Sequence, residues 1–266
     1  MKVLMVGDIV GSAGRMVFAQ VVARFKQNEG LDFVVVNAEN SAGGRGLTAK
    51  LAEEFFVAGA DVITLGDHAW DQKDLIPFLD VEPRVLRPAN FAPGCPGKGA
   101  VTVETPFGDV TVFNLIGRVF MKPYDCPFRM ADELISRHAS SKIKLVDLHA
   151  EATSEKIVMG HYLDGRVSAV VGTHTHVQTS DEMILPGGTA YLTDLGMTGV
   201  KNAAIGRDLD SVVSMFLNGM PSKFTLAEGS PVLEGFLIDI DPKTGRALSI
   251  KRVRESMSGP SETAWG

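Results

Sequence analysis

The feature that most constrains this chain is a rhythm of short apolar runs, each followed by glycine or a polar residue and then by an amphipathic pattern. Val3–Val6, Phe33–Val36 and Val62–Leu65 are apolar at nearly every position, so each reads as a strand buried on both faces. Between them Val17, Val21, Val22 and Phe25 recur at helical spacing. Thr48 is placed to N-cap a helix through Leu51, Phe55 and Phe56, and Asp71–Leu79 reads as a third helix. Strands and helices alternating in this way form a parallel sheet with helices on its faces. A chain of 266 residues needs no disulfide to hold such a core, because at that size on the order of three quarters of the unfolded surface is buried. Cys95 and Cys126 therefore read as two thiols, not a framework.

The rest of the chain keeps the α/β character. Four prolines mark Glu82–Gly99 as a loop. Val101–Glu104 and Val110–Leu115 flank Pro106-Phe107-Gly108-Asp109, a hairpin. Ile143–Leu148 and Val167–Val171 are buried strands separated by a helical pattern around Glu155–Tyr162. Thr189–Thr193, Ser222–Ala227, Val232–Ile240 and Leu248–Val253 read as strands, with a helix near Ser211–Phe216. One α/β domain over residues 1–266, with a mixed second sheet, accommodates them all.

Charge narrows the partners. Twenty-six basic against 32 acidic residues give −6, which argues against a broad grip on nucleic acid or anionic lipid. Asp8 breaks the N-terminal apolar run well short of a secretory core of roughly 7–15 residues, and no stretch approaches the ~18 apolar residues of a membrane span. The expectation is a cytoplasmic protein with a small-molecule substrate, no membrane and no extended nucleic-acid partner; homo-oligomerisation stays open.

Five strand ends carry the functional signal. Strand one ends in Gly7-Asp8, strand two in Asn37-Ala38-Glu39-Asn40 and strand three in Gly66-Asp67-His68; the later strands end in His149 and in His174-Thr175-His176. Ligands of open α/β sheets sit outside the carboxyl ends of the strands, and carboxylate, carboxamide and imidazole are donors that transition metals accept. Taken singly, Asp8 could stabilise a turn, Glu39, Asn40 and Asp67 could be loop polars, and His149 a satisfied core histidine. In extended backbone, however, His174 and His176 project to one side and can meet one metal centre. His138 and His161 read as structural, Asp71 and Asp74 as a helix N-cap pair, and Trp70 as packing or rim. Arg87, Asn90 and Arg118 either brace loops or touch a phosphate. Gly7–Gly14 lacks the Gly-Lys-Ser/Thr ending of a P-loop and the dinucleotide glycine spacing.

The blocks GDIVGSAGR, NAEN, GDHAWD, RPANF, DLHAEATSEK, GTHTHVQT and YLTDLGMTG, in order from residue 7 to 199, make the chain resemble the calcineurin-like binuclear metallophosphoesterases, and within them the bacterial YmdB-like subfamily of cyclic-nucleotide phosphodiesterases. The resemblance implies a sandwich of two β-sheets flanked by helices (αββα) with two metal ions at the strand ends. It implies one ion held by Asp8, Glu39, Asn40 and His176, a second by Glu39, Asp67, His149 and His174, and His68 as a catalytic, non-ligand histidine. Iron is the expected metal, with manganese or zinc as alternatives. Two positions depart from the wider pattern: Val10 stands where a histidine is usual, with Asn40 supplying the missing donor, and Asp67 stands where asparagine is usual. The implied reaction is hydrolysis of a small phosphodiester by a metal-activated hydroxide, with 2′,3′-cyclic nucleotides the first candidate substrates and 3′,5′-cyclic nucleotides the second. A non-catalytic metal-bearing nucleotide sensor is one alternative. An amidohydrolase-type metal hydrolase is another, although its His-x-His pair comes at the first strand, whereas this pair comes late.

Overall fold

Apolar strands that must be covered on both faces stack here as two sheets, with helices on the outer surfaces. The computed structural model describes residues 1–221 and 225–260. The first half runs β1 (Lys2–Val6), β2 (Asp8–Ile9), α1 (Gly11–Asn28), β3 (Phe33–Asn37), α2 (Ala49–Val57), β4 (Val62–Thr64), α3 (Leu75–Val81) and β5 (Val85–Leu86). Next come β6 (Ala100–Val103), β7 (Val110–Ile116), α4 (Pro127–Arg137), β8 (Ile143–His149), α5 (Thr153–Tyr162), β9 (Ala169–Thr173), β10 (Met183–Ile184) and β11 (Ala190–Leu192). The last elements are β12 (Met197–Val200), α6 (Leu209–Asn218), β13 (Pro231–Ile240), β14 (Ala247–Ser256) and β15 (Gly259–Pro260).

One sheet has the order β15-β14-β13-β1-β3-β4-β5, with β12 joining β13 to β2; the other has the order β10-β11-β9-β8-β7-β6. Strands β1, β3, β4 and β5 are parallel, as are β7, β8, β9 and β11. Antiparallel neighbours flank both sets: β13 beside β1, and β6 and β10 at the edges of the second sheet. Both sheets are therefore mixed, where the sequence suggested this only for the second.

The strand pattern explains the layering. Successive side chains point to opposite faces, so Val3 and Met5 enter the core between the sheets with Val112, Leu145 and Val171. Leu4 and Val6 face outward against Phe18, Val21 and Phe55 of α1 and α2. On the other side Val146 and Leu148 of β8 meet Leu134 of α4 and Met159 of α5. The αββα sandwich is the direct consequence.

The Thr48 cap is present: its hydroxyl accepts from Leu51 N at 3.2 Å. The Asp71–Asp74 pair does not cap α3, which starts only at Leu75. Asp74 makes no side-chain cap there; its Oδ2 accepts from Ala49 N at the start of α2 (3.1 Å). Asp71 is drawn instead to a histidine and an arginine described below. α4 is a helix that the sequence reading did not include, and its start is marked by Pro127 in the first turn. Of the strand expected at Ser222–Ala227, residues 222–224 lie outside the described residues, and Leu226 forms a single bridge to Arg207. No helix among the described residues is long and apolar enough to cross a membrane.

Within the second sheet, the ends of β9 and β11 come together where only glycine fits. A Cβ on Gly172 would lie 1.9 Å from Thr193 O. We expect Gly172→Ala to cost about 1–3 kcal/mol through overpacking, read as a lower urea midpoint with an unchanged slope. An unchanged midpoint would show that the backbone yields there.

Candidate metal centre

Five strand ends supply the donors because parallel strands end on one edge. Asp8 opens β2 and is held in register with Met197 of β12. Glu39 and Asn40 follow β3, where Asn40 bridges to Val10. Asp67 and His68 follow β4, His149 is the last residue of β8, and His174–His176 follow β9. His149 Nε2 lies 3.0 Å from Glu39 Oε1, 3.3 Å from Asp67 Oδ1 and 3.0 Å from His174 Nδ1. These four residues each offer a ligand atom within 4.8 Å of the others, a group that could hold a metal ion. Beside them Asp8 Oδ1 is 3.9 Å from a His149 ring nitrogen and 4.0 Å from His176 Nε2, which is itself 3.2 Å from the Asn40 amide. Gly66 permits this approach: a Cβ there would sit 2.2 Å from His149 Cδ2 and 2.4 Å from Glu39 Oε2.

The electrostatics of the cluster call for a cation. Asp8, Glu39 and His149 are buried, and an unpaired buried carboxylate is costly. Burial pushes the Asp8 carboxyl well above its usual range, with His149 opposing only in part. Its Oδ1 has no hydrogen-bond partner. Burial also acts to raise Glu39 and Asp67, but the charge and hydrogen bonds of His149 outweigh it and hold both below the usual carboxylate range. His149 itself is pulled down by burial and more strongly up by Glu39, Asp67 and Asp8, ending well above the usual imidazole value. His174 is lowered to about 4, by burial and by the neighbouring charge of His149; burial lowers His176. An orphaned carboxylate oxygen among oxygen and nitrogen donors fits a metal ion.

The His174–His176 segment differs from the extended strand expected. Its two histidines have φ of 99° and 65°, in the left-handed region, and they point to different neighbours. His174 joins Glu39, Asp67 and His149; His176 joins Asp8 and Asn40. The strained turn is held from behind by Asp194, whose Oδ2 accepts from Thr175 N (3.3 Å), Thr175 Oγ1 (2.7 Å) and Lys156 Nζ (2.6 Å). Every ring is also fixed on its far side. His174 Nε2 is 3.2 Å from Glu151, His176 Nδ1 donates to Ile205 O (3.2 Å), and His149 Nδ1 sits 2.9 Å from Thr173 Oγ1. Thr173 in turn donates to Asp147 (2.8 Å). Such outer partners orient ligating imidazoles. Asp147, Glu151, Lys156, Thr173 and Asp194 lie within or beside the motifs, yet nothing in sequence separates them from ordinary strand and loop polars.

His68 and Asn40 line a cavity of about 370 Å³ together with Glu39, His174, His176, Arg45 and Arg207. Asp71 Oδ2 lies 2.9 Å from His68 Nδ1 and accepts from Arg45 Nε at 2.9 Å, so Asp71 orients the histidine. Arg45 and Arg207 escaped the sequence reading; the run Gly43-Gly44-Arg45-Gly46 was the available hint. Arg87 and Asn90 brace loops: Arg87 donates to Pro88 O and Pro96 O, and the Asn90 amide to Ile116 O and Asp125 O. Arg118 is exposed, its backbone N–H donating to Glu155. His138 contacts Thr102 at 3.1 Å, and His161 is exposed on α5.

Two sheets between helices, with acids and imidazoles gathered at the strand ends, place the chain in the metallophosphoesterase class. It belongs to the YmdB-like protein family, which matches residues 4–253. The chain is 47% identical over 254 residues to the Bacillus subtilis protein named 2′,3′-cyclic-nucleotide 2′-phosphodiesterase, covering 95% of this chain and 96% of that protein. Among solved structures, a hypothetical protein from Thermus thermophilus superposes with a TM-score of 0.91 at 38% identity, covering 96% of this chain and 99% of that one. A novel phosphatase from Mycoplasma pneumoniae does so with a TM-score of 0.91 at 32% identity, covering 96% and 93%.

Two outcomes follow. Asp194→Asn loosens the turn and should weaken metal binding about 10–100-fold in a chelator-competition titration; unchanged affinity would remove Asp194 from the support of the site. Metal must also displace the proton from His149, whose value is raised. Affinity should therefore climb as pH rises toward that raised value, with proton release detectable by calorimetry in buffers of different ionisation enthalpy.

Proposed function

We propose that this protein, acting as one domain over residues 1–266, hydrolyses small phosphodiesters, with 2′,3′-cyclic nucleotides the first substrates to test and 3′,5′-cyclic nucleotides the second. The observation that carries the reading is the orphaned, buried Asp8 Oδ1 beside converged carboxylates and imidazoles, opening on a cavity that His68 lines. The name of the 47%-identical relative supports the substrate class. Asp8, Glu39, Asn40 and His176 would hold one ion, and Glu39, Asp67, His149 and His174 the other, with Glu39 shared. Iron, manganese and zinc all suit these oxygen and nitrogen donors; iron is the assignment to test first. When bound, the ions supply Lewis acidity toward the phosphate and an activated water.

The remaining work falls to side chains of the protein. Arg45 and Arg207 bring positive charge to the cavity rim, so an anion is attracted despite the −6 net charge. Asp71 engages His68 Nδ1 and leaves Nε2 as the nitrogen available to the cavity. His68 would then donate a proton from Nε2 to the ribose oxygen that leaves phosphorus. The sensor and amidohydrolase readings gain no support from the site: His68 and Asp71 form an oriented acid, and the His-x-His pair lies after β9. The free Cys95 and Cys126 are consistent with placement in the cytoplasm.

His68→Ala should retain its metal by elemental analysis and lose about 10²–10⁴ in kcat against a 2′,3′-cyclic nucleotide. Loss of metal in that variant would make His68 a ligand instead. Protein carrying stoichiometric metal that turns over none of a panel of 2′,3′- and 3′,5′-cyclic nucleotides would overturn the enzymatic reading.

A further inference from the structure

We infer that Ile205 and Leu226, with the bare peptide of Gly43–Gly44, form the subsite that receives the nucleobase of the substrate; this rests on the cyclic-nucleotide reading above. The first observation is a strained residue. Ala204 and Arg207 exchange backbone hydrogen bonds at 2.9 and 3.0 Å and so close a two-residue turn around Ile205 and Gly206. Both central residues have positive φ, 48° and 90°. Turns of this type take Asn, Asp or Gly at their centre, and a β-branched side chain in the left-handed region is a genuine outlier. The turn does present Ile205 O to His176 Nδ1, but a glycine or asparagine would present the same carbonyl without the strain. The isoleucine side chain is therefore what the strain preserves, and it stands 52% exposed on the wall of the cavity that holds His68 and the acid–imidazole cluster.

The second observation is the shape and chemistry around it. The cavity, about 370 Å³, falls in the range of small-molecule sites, roughly 300–1,000 Å³, and exceeds the needs of a phosphate alone. Its lining combines the polar donors with apolar surface from Val10, Ile205 and Leu226. Leu226 is anchored where side chains are missing, because a Cβ on Gly11 or Gly44 would come within 2.3 or 3.0 Å of its methyl groups. A Cβ on Gly43 would meet nothing within 4 Å, so the peptide of the glycine loop faces open space. A flat peptide beside branched methyl groups packs against the face of a purine or pyrimidine. Arg207, paired in backbone with both Ala204 and Leu226, lines the same wall.

The test compares a 2′,3′-cyclic nucleotide with the 2′,3′-cyclic phosphate of methyl riboside, which lacks the base. The wild-type protein should favour the nucleotide in kcat/KM, mainly through KM. Ile205→Gly, which relaxes the turn, should lower that ratio about tenfold, the effect of one lost apolar contact, while the thermal midpoint holds or rises. Saturation-transfer NMR on the nucleoside 3′-monophosphate should show the base protons most strongly saturated, and less so in the variant. A variant that loses both substrates equally would make Ile205 a support for His176, and an unchanged ratio would move the base elsewhere, such as the aromatic pocket of Trp70, Phe91 and Tyr124. Either result overturns the inference. A wild-type protein that hydrolyses neither compound would instead remove the underlying functional reading.

Discussion

Buried negative charge is the constraint around which the rest of this molecule is arranged. Asp8 and Glu39 are out of water, Asp67 is partly so, and one oxygen of Asp8 has no partner. Carboxylates gathered in this way repel one another and lose hydration, so the fold is tolerable only if a positive charge joins them. The same acids pull the His149 imidazole well above its usual value, the direction expected where carboxylates lack a counter-charge. A multivalent cation would supply that charge, and could also satisfy Asp8 Oδ1, which has no hydrogen-bond partner.

Holding that cluster takes rigid elements from both sheets. Parallel strands deliver their polar ends to one edge, and glycines at 66 and 172 let the ends approach more closely than any side chain would allow. One costly local feature is the His174–His176 turn, where two non-glycine residues in the left-handed region cost about 1–3 kcal/mol each. Buried Asp194, paired with Lys156, compensates by accepting from the backbone and hydroxyl of Thr175. Removing one partner of such a pair leaves an uncompensated buried charge, so the support of the turn and the stability of the second sheet are coupled.

Reactivity and selectivity then divide across one cavity. His68 is oriented by Asp71, which Arg45 also engages, so the histidine proposed as general acid, its orienting carboxylate and a rim charge form a single chain of contacts. Across the metal donors, Ile205 ties the wall to His176 through its carbonyl. A change in that wall can therefore reach the metal centre, which is why the baseless substrate is the necessary control.

The alternation of apolar runs with helical patterns was enough to predict an α/β domain whose strands are covered on both faces, and the family resemblance, not the periodicity, implied that one cover is a second sheet. The polar strand ends were enough to identify Asp8, Glu39, Asn40, Asp67, His149, His174 and His176 as residues to watch, since the carboxyl ends of parallel strands share one edge. The family resemblance implied how those residues divide; tertiary structure supplied the backbone that separates them. His174 and His176 diverge because left-handed backbone, braced from the distant Lys156 and Asp194, replaces the extended geometry that i, i+2 spacing suggests. Asp71 orients a histidine instead of capping a helix because α3 begins later and Arg45, 26 positions away, comes alongside. Local sequence encodes period and burial; the partners of a charged side chain are set by segments far off in the chain, and only folding brings them within reach.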